Sequence, residues 1–267
     1  MKAPTAALAV LATALCFAMQ TQAQPTNTPL PAAALKLKAE PRRQLKYLLY
    51  LPPEYSARKQ GERWPLMLFL HGSGERGTDV QRVAIHGPMN LVKQGTNFPF
   101  IIVAPLCPGG EKWENKPLLQ LLDHVEKKLA VDTNRVYLTG LSMGGFGTWT
   151  LGLAAPERFA ALAPVCGGIS YIDLLSAARE RTNALKKLPI WTFHGGQDNE
   201  IPPDESKRIV DALKAKGLSN VRLTIYPEAR HNSWTETYNN PELYEWLLAQ
   251  KRSAPTARKK LAVNERR

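Results

Sequence analysis

The stretch Val136-Tyr137-Leu138-Thr139-Gly140-Leu141-Ser142-Met143-Gly144-Gly145-Phe146-Gly147-Thr148-Trp149 runs from an apolar segment into a serine with glycines two residues away on either side. Gly140, Ser142 and Gly144 form G-x-S-x-G, the pattern of a sharp strand-to-helix turn that projects a serine hydroxyl. The residues two before and two after the serine lie where the backbone is crowded, so they must lack side chains. A serine so placed opens a helix, whose unpaired first-turn N–H groups favour negative charge. With nine serines and eighteen glycines in the chain, chance supplies this pattern in roughly one chain in 25, so its flanks matter. Val136–Leu138 reads as a strand. Phe146–Ala155 reads as a small-residue helix stopped by Pro156.

Working outward, 267 residues suffice for one large α/β domain with a well-buried core. Residues 1–23 read as a signal peptide: Lys2, an apolar stretch from Ala6 to Met19, and small residues at Thr21-Gln22-Ala23. Leu15-Cys16 lacks the small residue that precedes a lipidated cysteine, which argues against a lipid anchor. The expectation is a soluble protein, secreted or periplasmic after signal removal, with no stable membrane anchor. Residues 24–44 read as a linker or N-terminal extension, 45–250 as the catalytic domain and 251–267 as a basic disordered tail.

The formal charge of +12 resides in the ends. Residues 1–48 hold six basic groups and Glu40, residues 251–267 hold seven and Glu265, and the body between them has 22 basic and 21 acidic groups. A nearly neutral body argues against a nucleic-acid partner.

Strands expected at Lys46–Leu51, Leu66–Leu70, Phe100–Ala104, Val136–Thr139, Leu162–Val165, Ile190–Phe193 and Val221–Tyr226 alternate with helices. This is the signature of a mostly parallel sheet covered on both faces. Leu118, Leu121, Leu122, Val125 and Leu129 share one helical face, a second helix spans about 204–216, and a third carries Leu243, Trp246 and Leu247 inward. Cys107 and Cys166 follow strands expected to be separated by two others, a gap near 14 Å, which exceeds disulfide reach. Two free buried thiols are expected. No Cys or His spacing resembles a metal site, so neither a metal nor a cofactor is expected.

A seryl hydroxyl needs a base, and the base an orienting acid. Among five histidines, His124 reads as a surface residue and His86 as a loop residue, while His71 and His194 end strands before glycines and read as turn-shaping. His231 follows the last strand, in the loop from which an imidazole can reach back to Ser142. Asp198, in His194-Gly195-Gly196-Gln197-Asp198, follows the strand before it and is the expected acid, with Glu200 the nearest competitor. The order Ser142, Asp198, His231 is the Ser…Asp…His order. The oxyanion donors are expected to be the N–H groups of Met143 and Ser73, with Gly72 as second choice to Ser73. Gly72-Ser73-Gly74-Glu75-Arg76-Gly77 also fits the dinucleotide fingerprint G-x-G-x-x-G. No long helix follows it, however, and the next strand ends at Pro105 without an acidic residue for a ribose.

Phe69-Leu70-His71-Gly72-Ser73-Gly74-Glu75-Arg76-Gly77, the Ser142 elbow, His194-Gly195-Gly196-Gln197-Asp198 and His231-Asn232-Ser233-Trp234 together resemble the α/β-hydrolase superfamily. More narrowly, they are similar to the exported phospholipase/carboxylesterase and dienelactone-hydrolase-like esterases, often labelled predicted peptidases of the prolyl oligopeptidase group. The resemblance covers about 45–250. It implies an α/β-hydrolase fold without a large lid, Ser142 as nucleophile, Asp198 as acid, His231 as base, and Ser73 and Met143 as oxyanion donors. Dienelactone hydrolases carry a cysteine nucleophile where this chain has serine, which argues against that specific reaction. The chain also lacks the propeller that confines prolyl oligopeptidases to peptides.

The expected function is hydrolysis of a small-molecule carboxylic ester with a short-to-medium or aromatic acyl group, through an acyl-serine intermediate. A peptidase or amidase with the same triad and a non-catalytic binding protein are the alternatives. Trp113 and Trp234 are candidates to stack on an aromatic acyl group or to pack at loop bases. Glu75 and Arg76 either contact substrate or pair with each other. Oligomeric state is not legible.

Overall fold

The computed structural model describes residues 32–36 and 44–252. The expected signal peptide lies outside them, as does the basic tail beyond Arg252. The strands, in chain order, are β1 (Ala32–Lys36), β2 (Gln44–Tyr50), β3 (Trp64–Leu70), β4 (Ile101–Pro105), β5 (Val131–Leu141), β6 (Ala161–Val165), β7 (Ile190–Gly195) and β8 (Val221–Tyr226). They form one sheet in the order β1-β2-β4-β3-β5-β6-β7-β8. β2 pairs antiparallel with both β1 and β4, and the remaining strands run parallel.

Each of the seven expected strands is present. The eighth, β1, falls inside the 24–44 stretch expected to be linker. It adds to the free edge of β2 through main-chain pairing, which needs no apolar alternation in the added segment and so leaves little trace in sequence.

Among the described residues eight α-helices complete the fold: α1 (Gly87–Lys93), α2 (Asn115–Lys128), α3 (Met143–Ala154), α4 (Tyr171–Glu180), α5 (Thr182–Leu185), α6 (Asp204–Ala215), α7 (Trp234–Asn239) and α8 (Pro241–Ala249). Alternate residues of β3 divide between the two faces of the sheet. Leu66, Leu68 and Leu70 join Leu121 of α2, Trp149 of α3 and Ile209 of α6 in one buried cluster. Met67 and Phe69 join Met89 of α1, Tyr238 of α7 and Leu247 of α8 in the other. Both faces are thus covered, which explains why the central strands read as continuous apolar runs. Among the described residues no helix is long and apolar enough to cross a membrane.

β4 and β6 flank the β3–β5 pair, so Cys107 and Cys166, which follow them, are held apart. Both are buried, and no disulfide joins them.

Candidate active site

The carboxyl edge of the parallel strands is where loops converge in open α/β sheets, and Ser142 stands there between β5 and α3. Its backbone is at φ 51°, ψ −116°, a strained conformation for a residue with a side chain. The flanking glycines show why no other residue fits. A Cβ at Gly140 would lie 2.5 Å from the Gly144 oxygen and 2.7 Å from the Leu70 oxygen, and one at Gly144 would overlap the Leu70 oxygen. The helix's first internal bond runs from the Phe146 N–H to the Ser142 oxygen, which leaves the Met143 N–H ahead of any intrahelical acceptor.

The structure brings the three expected catalytic residues together. His231 Nδ1 lies 2.8 Å from Asp198 Oδ2, and its Nε2 lies 2.9 Å from Ser142 Oγ. A carboxylate only accepts, so Nδ1 carries the proton and Nε2 is the acceptor for the seryl O–H. Asp198 Oδ1 accepts the N–H groups of Glu200 and Ile201, both at 3.0 Å. Burial pushes the Asp198 carboxyl up, but the hydrogen bonds from His231, Ile201 and Glu200 outweigh it and hold the group below the usual carboxylate range. Glu200, the competing acid, has a side chain 70% exposed and sits 3.7 Å from the other ring nitrogen, Nε2.

The loop after β3 is braced through its carbonyls. The Trp113 Nε1–H donates to the His71 oxygen at 3.1 Å and the His71 Nδ1–H to the Gly72 oxygen at 2.6 Å. Arg76 Nε donates to the Ser73 oxygen at 3.0 Å and Arg82 Nη2 to the Gly74 oxygen at 2.5 Å. Four consecutive carbonyls are thus held by side chains. In a trans peptide the next N–H points opposite its carbonyl, so the Ser73 N–H is turned away from the imidazole that holds Gly72. His71 itself accepts the Cys107 N–H on Nε2 at 2.9 Å. Burial drives its pKa down to about 4, so it stays neutral and keeps this tautomer.

The remaining candidates divide. Trp234 packs edge-to-face on the His231 ring at 5.3 Å and also meets the His86 ring at 5.4 Å. Trp113 packs on His71 at 4.9 Å, with its N–H engaged by the loop. Arg76 points to carbonyl oxygens, including that of Glu111 at 3.1 Å, rather than to Glu75. Glu75 is buried, 3.9 Å from His71 Nδ1 and 3.8 Å from His86 Nε2, and its Oε2 has no hydrogen-bond partner.

Sequence reading missed the support beneath Asp198. His194 is fully buried. Its Nε2 lies 2.8 Å from the Ile201 oxygen and 3.2 Å from Asp198 Oδ2, and its Nδ1 lies 2.7 Å from Ser206 Oγ. The only hint was a histidine ending an apolar strand.

Cys166, Asp198 and His231 offer ligand-type atoms within 4.8 Å of one another. Burial raises the Cys166 thiol to about 12, and the aspartate and imidazole are already bonded to each other. This chemistry suits proton transfer from Ser142 better than holding a metal ion.

Comparison with known proteins agrees with the fold. A crystal structure of a thermostable esterase superposes with a TM-score of 0.68 at 32% identity, over 84% of this chain and 64% of that one. The bifunctional acetylxylan esterase/xylanase of Neocallimastix patriciarum is 30% identical over 68% of this chain. The endo-1,4-beta-xylanase/feruloyl esterase of Xylanibacter ruminicola is 31% identical over 64% of it. The chain spans only 26% and 25% of those two longer relatives. The family model for the dienelactone hydrolase family matches residues 111–260, more than half the chain. A lactone is a cyclic carboxylic ester, and with its α/β-hydrolase fold and its esterase relatives the chain belongs to the dienelactone hydrolase family of carboxylic-ester hydrolases.

Proposed function

We propose that this protein hydrolyses carboxylic esters of short-to-medium or aromatic acids through an acyl-serine intermediate. The unbroken line from Ser142 Oγ to His231 Nε2 at 2.9 Å, and from Nδ1 to Asp198 Oδ2 at 2.8 Å, carries the reading. His231 removes the seryl proton as Oγ attacks the carbonyl carbon. Asp198 fixes the ring tautomer and stabilises the imidazolium that forms. The Met143 and Ser73 N–H groups bind the oxyanion, and loss of one such donor lowers the rate by about 100–1,000-fold. His231 then gives its proton to the departing alcohol, and water repeats the sequence on the acyl-enzyme.

The acyl group is assigned to the side of the sheet that carries α3 and α4. Phe146, one turn along from Ser142, and Tyr171 and Ile172, which open α4, are 39%, 53% and 75% exposed. These apolar groups lie uncovered next to the nucleophile's helix, as a wall for an acyl chain or ring would. The names of the two xylan-directed relatives support acetyl and feruloyl groups as candidates.

Turnover of p-nitrophenyl acetate, butyrate and octanoate, of methyl ferulate and of an aryl amide tests the proposal. The expected result is faster ester than amide cleavage, with octanoate poorest. Faster amide cleavage would make the protein a peptidase or amidase instead.

A further inference from the structure

Between α1 and α7 the surface opens into a cavity of about 170 Å³. Trp234 lines it and also packs on His231, so one side chain borders both the triad and the cavity. His86, Asn90 and Gln94 approach from the α1 side, and Thr235 and Asn239 from α7. Local bonds hold the amides: Asn90 Nδ2 donates to the Ile85 oxygen and Gln94 Nε2 to Asn90 Oδ1, each at 2.6 Å, and Asn239 Nδ2 to the Thr235 oxygen at 2.8 Å. An amide held by one N–H retains its second N–H and acceptor capacity on its oxygen. None of the lining residues is Lys, Arg, Asp or Glu, so no permanently charged side chain lines the cavity.

We propose that this cavity is the subsite for the alcohol half of the ester, and that the alcohol is a sugar. The inference rests on the esterase reading above. The leaving oxygen must come within reach of His231 Nε2 to receive its proton, and the side chain beside that imidazole is Trp234. The helices that carry the acyl wall, α3 and α4, pack through Trp149 and Leu174 on the opposite face of the sheet from Met89 of α1 and Tyr238 of α7, so the two halves of the substrate diverge from Ser142. An indole and an imidazole surrounded by amides and a hydroxyl match a neutral ring with C–H faces and hydroxyl edges. A purely apolar alcohol would use none of that spare donor and acceptor capacity.

Two measurements test the proposal, and the first needs no activity. Backbone-amide NMR of the Ser142→Ala protein is followed while methyl β-D-xylopyranoside or acetylated xylobiose is added. Shifts should concentrate in residues 86–94 and 234–239. Absence of shifts, or shifts confined to the Tyr171 side, overturns the subsite. The second compares kcat/KM for acetylated xylobiose and p-nitrophenyl acetate in wild type and in a Gln94→Ala/Asn239→Ala double variant. The ratio of sugar ester to aryl ester should fall by about tenfold. An equal fall on both substrates overturns the subsite, whereas a wild type inactive on every ester defeats the esterase reading, leaving the NMR result to judge the cavity alone.

Discussion

His194 and His231 share one oxygen of Asp198. Oδ2 lies 2.8 Å from His231 Nδ1 and 3.2 Å from His194 Nε2. Ser206 donates to His194 Nδ1 at 2.7 Å, which leaves the proton on Nε2, where Ile201 and Asp198 both accept it. Burial lowers the His194 pKa, so the ring works as a neutral brace. Asp198 is therefore fixed from two sides before His231 is asked to carry charge.

Removal of this brace should slow the chemical step and spare binding. Ser206→Ala is expected to lower kcat about threefold and His194→Gln about tenfold, in line with the loss of one hydrogen bond to a neutral and to a charged group. KM should stay within about twofold, because neither residue borders the substrate. Steady-state kinetics on p-nitrophenyl acetate read the split, and a rise in KM at constant kcat would count against the assignment.

The braced loop gives a second expectation. Arg82 holds the Gly74 carbonyl and Trp113 the His71 carbonyl. Trp113→Phe keeps an aromatic ring against His71 but removes the donor. It should lower kcat about tenfold for ester substrates, because the oxyanion donors lose preorganisation. Arg82→Ala should act in the same direction. Unchanged kcat in both variants would detach these side chains from the reaction.

Strain at the nucleophile predicts a trade between stability and activity. Ser142 holds φ 51°, where a Cβ costs about 1–3 kcal/mol. Ser142→Gly relieves that strain and Ser142→Ala does not. The glycine variant should therefore unfold about 1 kcal/mol later than the alanine variant, with both inactive. Urea melts of the two variants check this, and a less stable glycine variant contradicts it.

Acidification should weaken the fold above the range where carboxylates titrate. The His71 pKa is held at about 4, against about 6.5 in the unfolded chain. Between these values the unfolded state binds a proton that the folded state refuses. Stability is thus intact above about pH 6.5 and falls as pH drops toward 4, by up to about 3 kcal/mol. His194 is shifted in the same direction and adds to the loss. Asp198 has the opposite sense: its lowered pKa contributes stability above the unfolded carboxylate value, which is lost only as pH falls below that range. Urea midpoints from pH 7 to 4 measure the slope, and His71→Gln should flatten it. An unchanged slope in that variant would remove His71 from the account.

The elbow was legible because its constraint is local: Gly140 and Gly144 are required by clashes within one turn and with the neighbouring β3. Asp198 and His231 were legible because each follows a strand that reads clearly as one. Long-range braces were not. Trp113 lies 42 residues from the carbonyl it holds, and no spacing rule connects them. His194 looked like a turn residue because its burial and its bond to Ser206 arise only when α6 packs against β7. β1 escaped because edge pairing is a main-chain interaction.

The most direct test is to trap the intermediate. Wild-type protein mixed rapidly with p-nitrophenyl acetate, quenched in acid and digested should yield an acetyl group on the peptide that contains Ser142, together with a burst of one p-nitrophenolate per active site when deacylation is the slower step. An acetyl group on another residue, or ester turnover in Ser142→Ala equal to that of wild type, would contradict the acyl-serine mechanism.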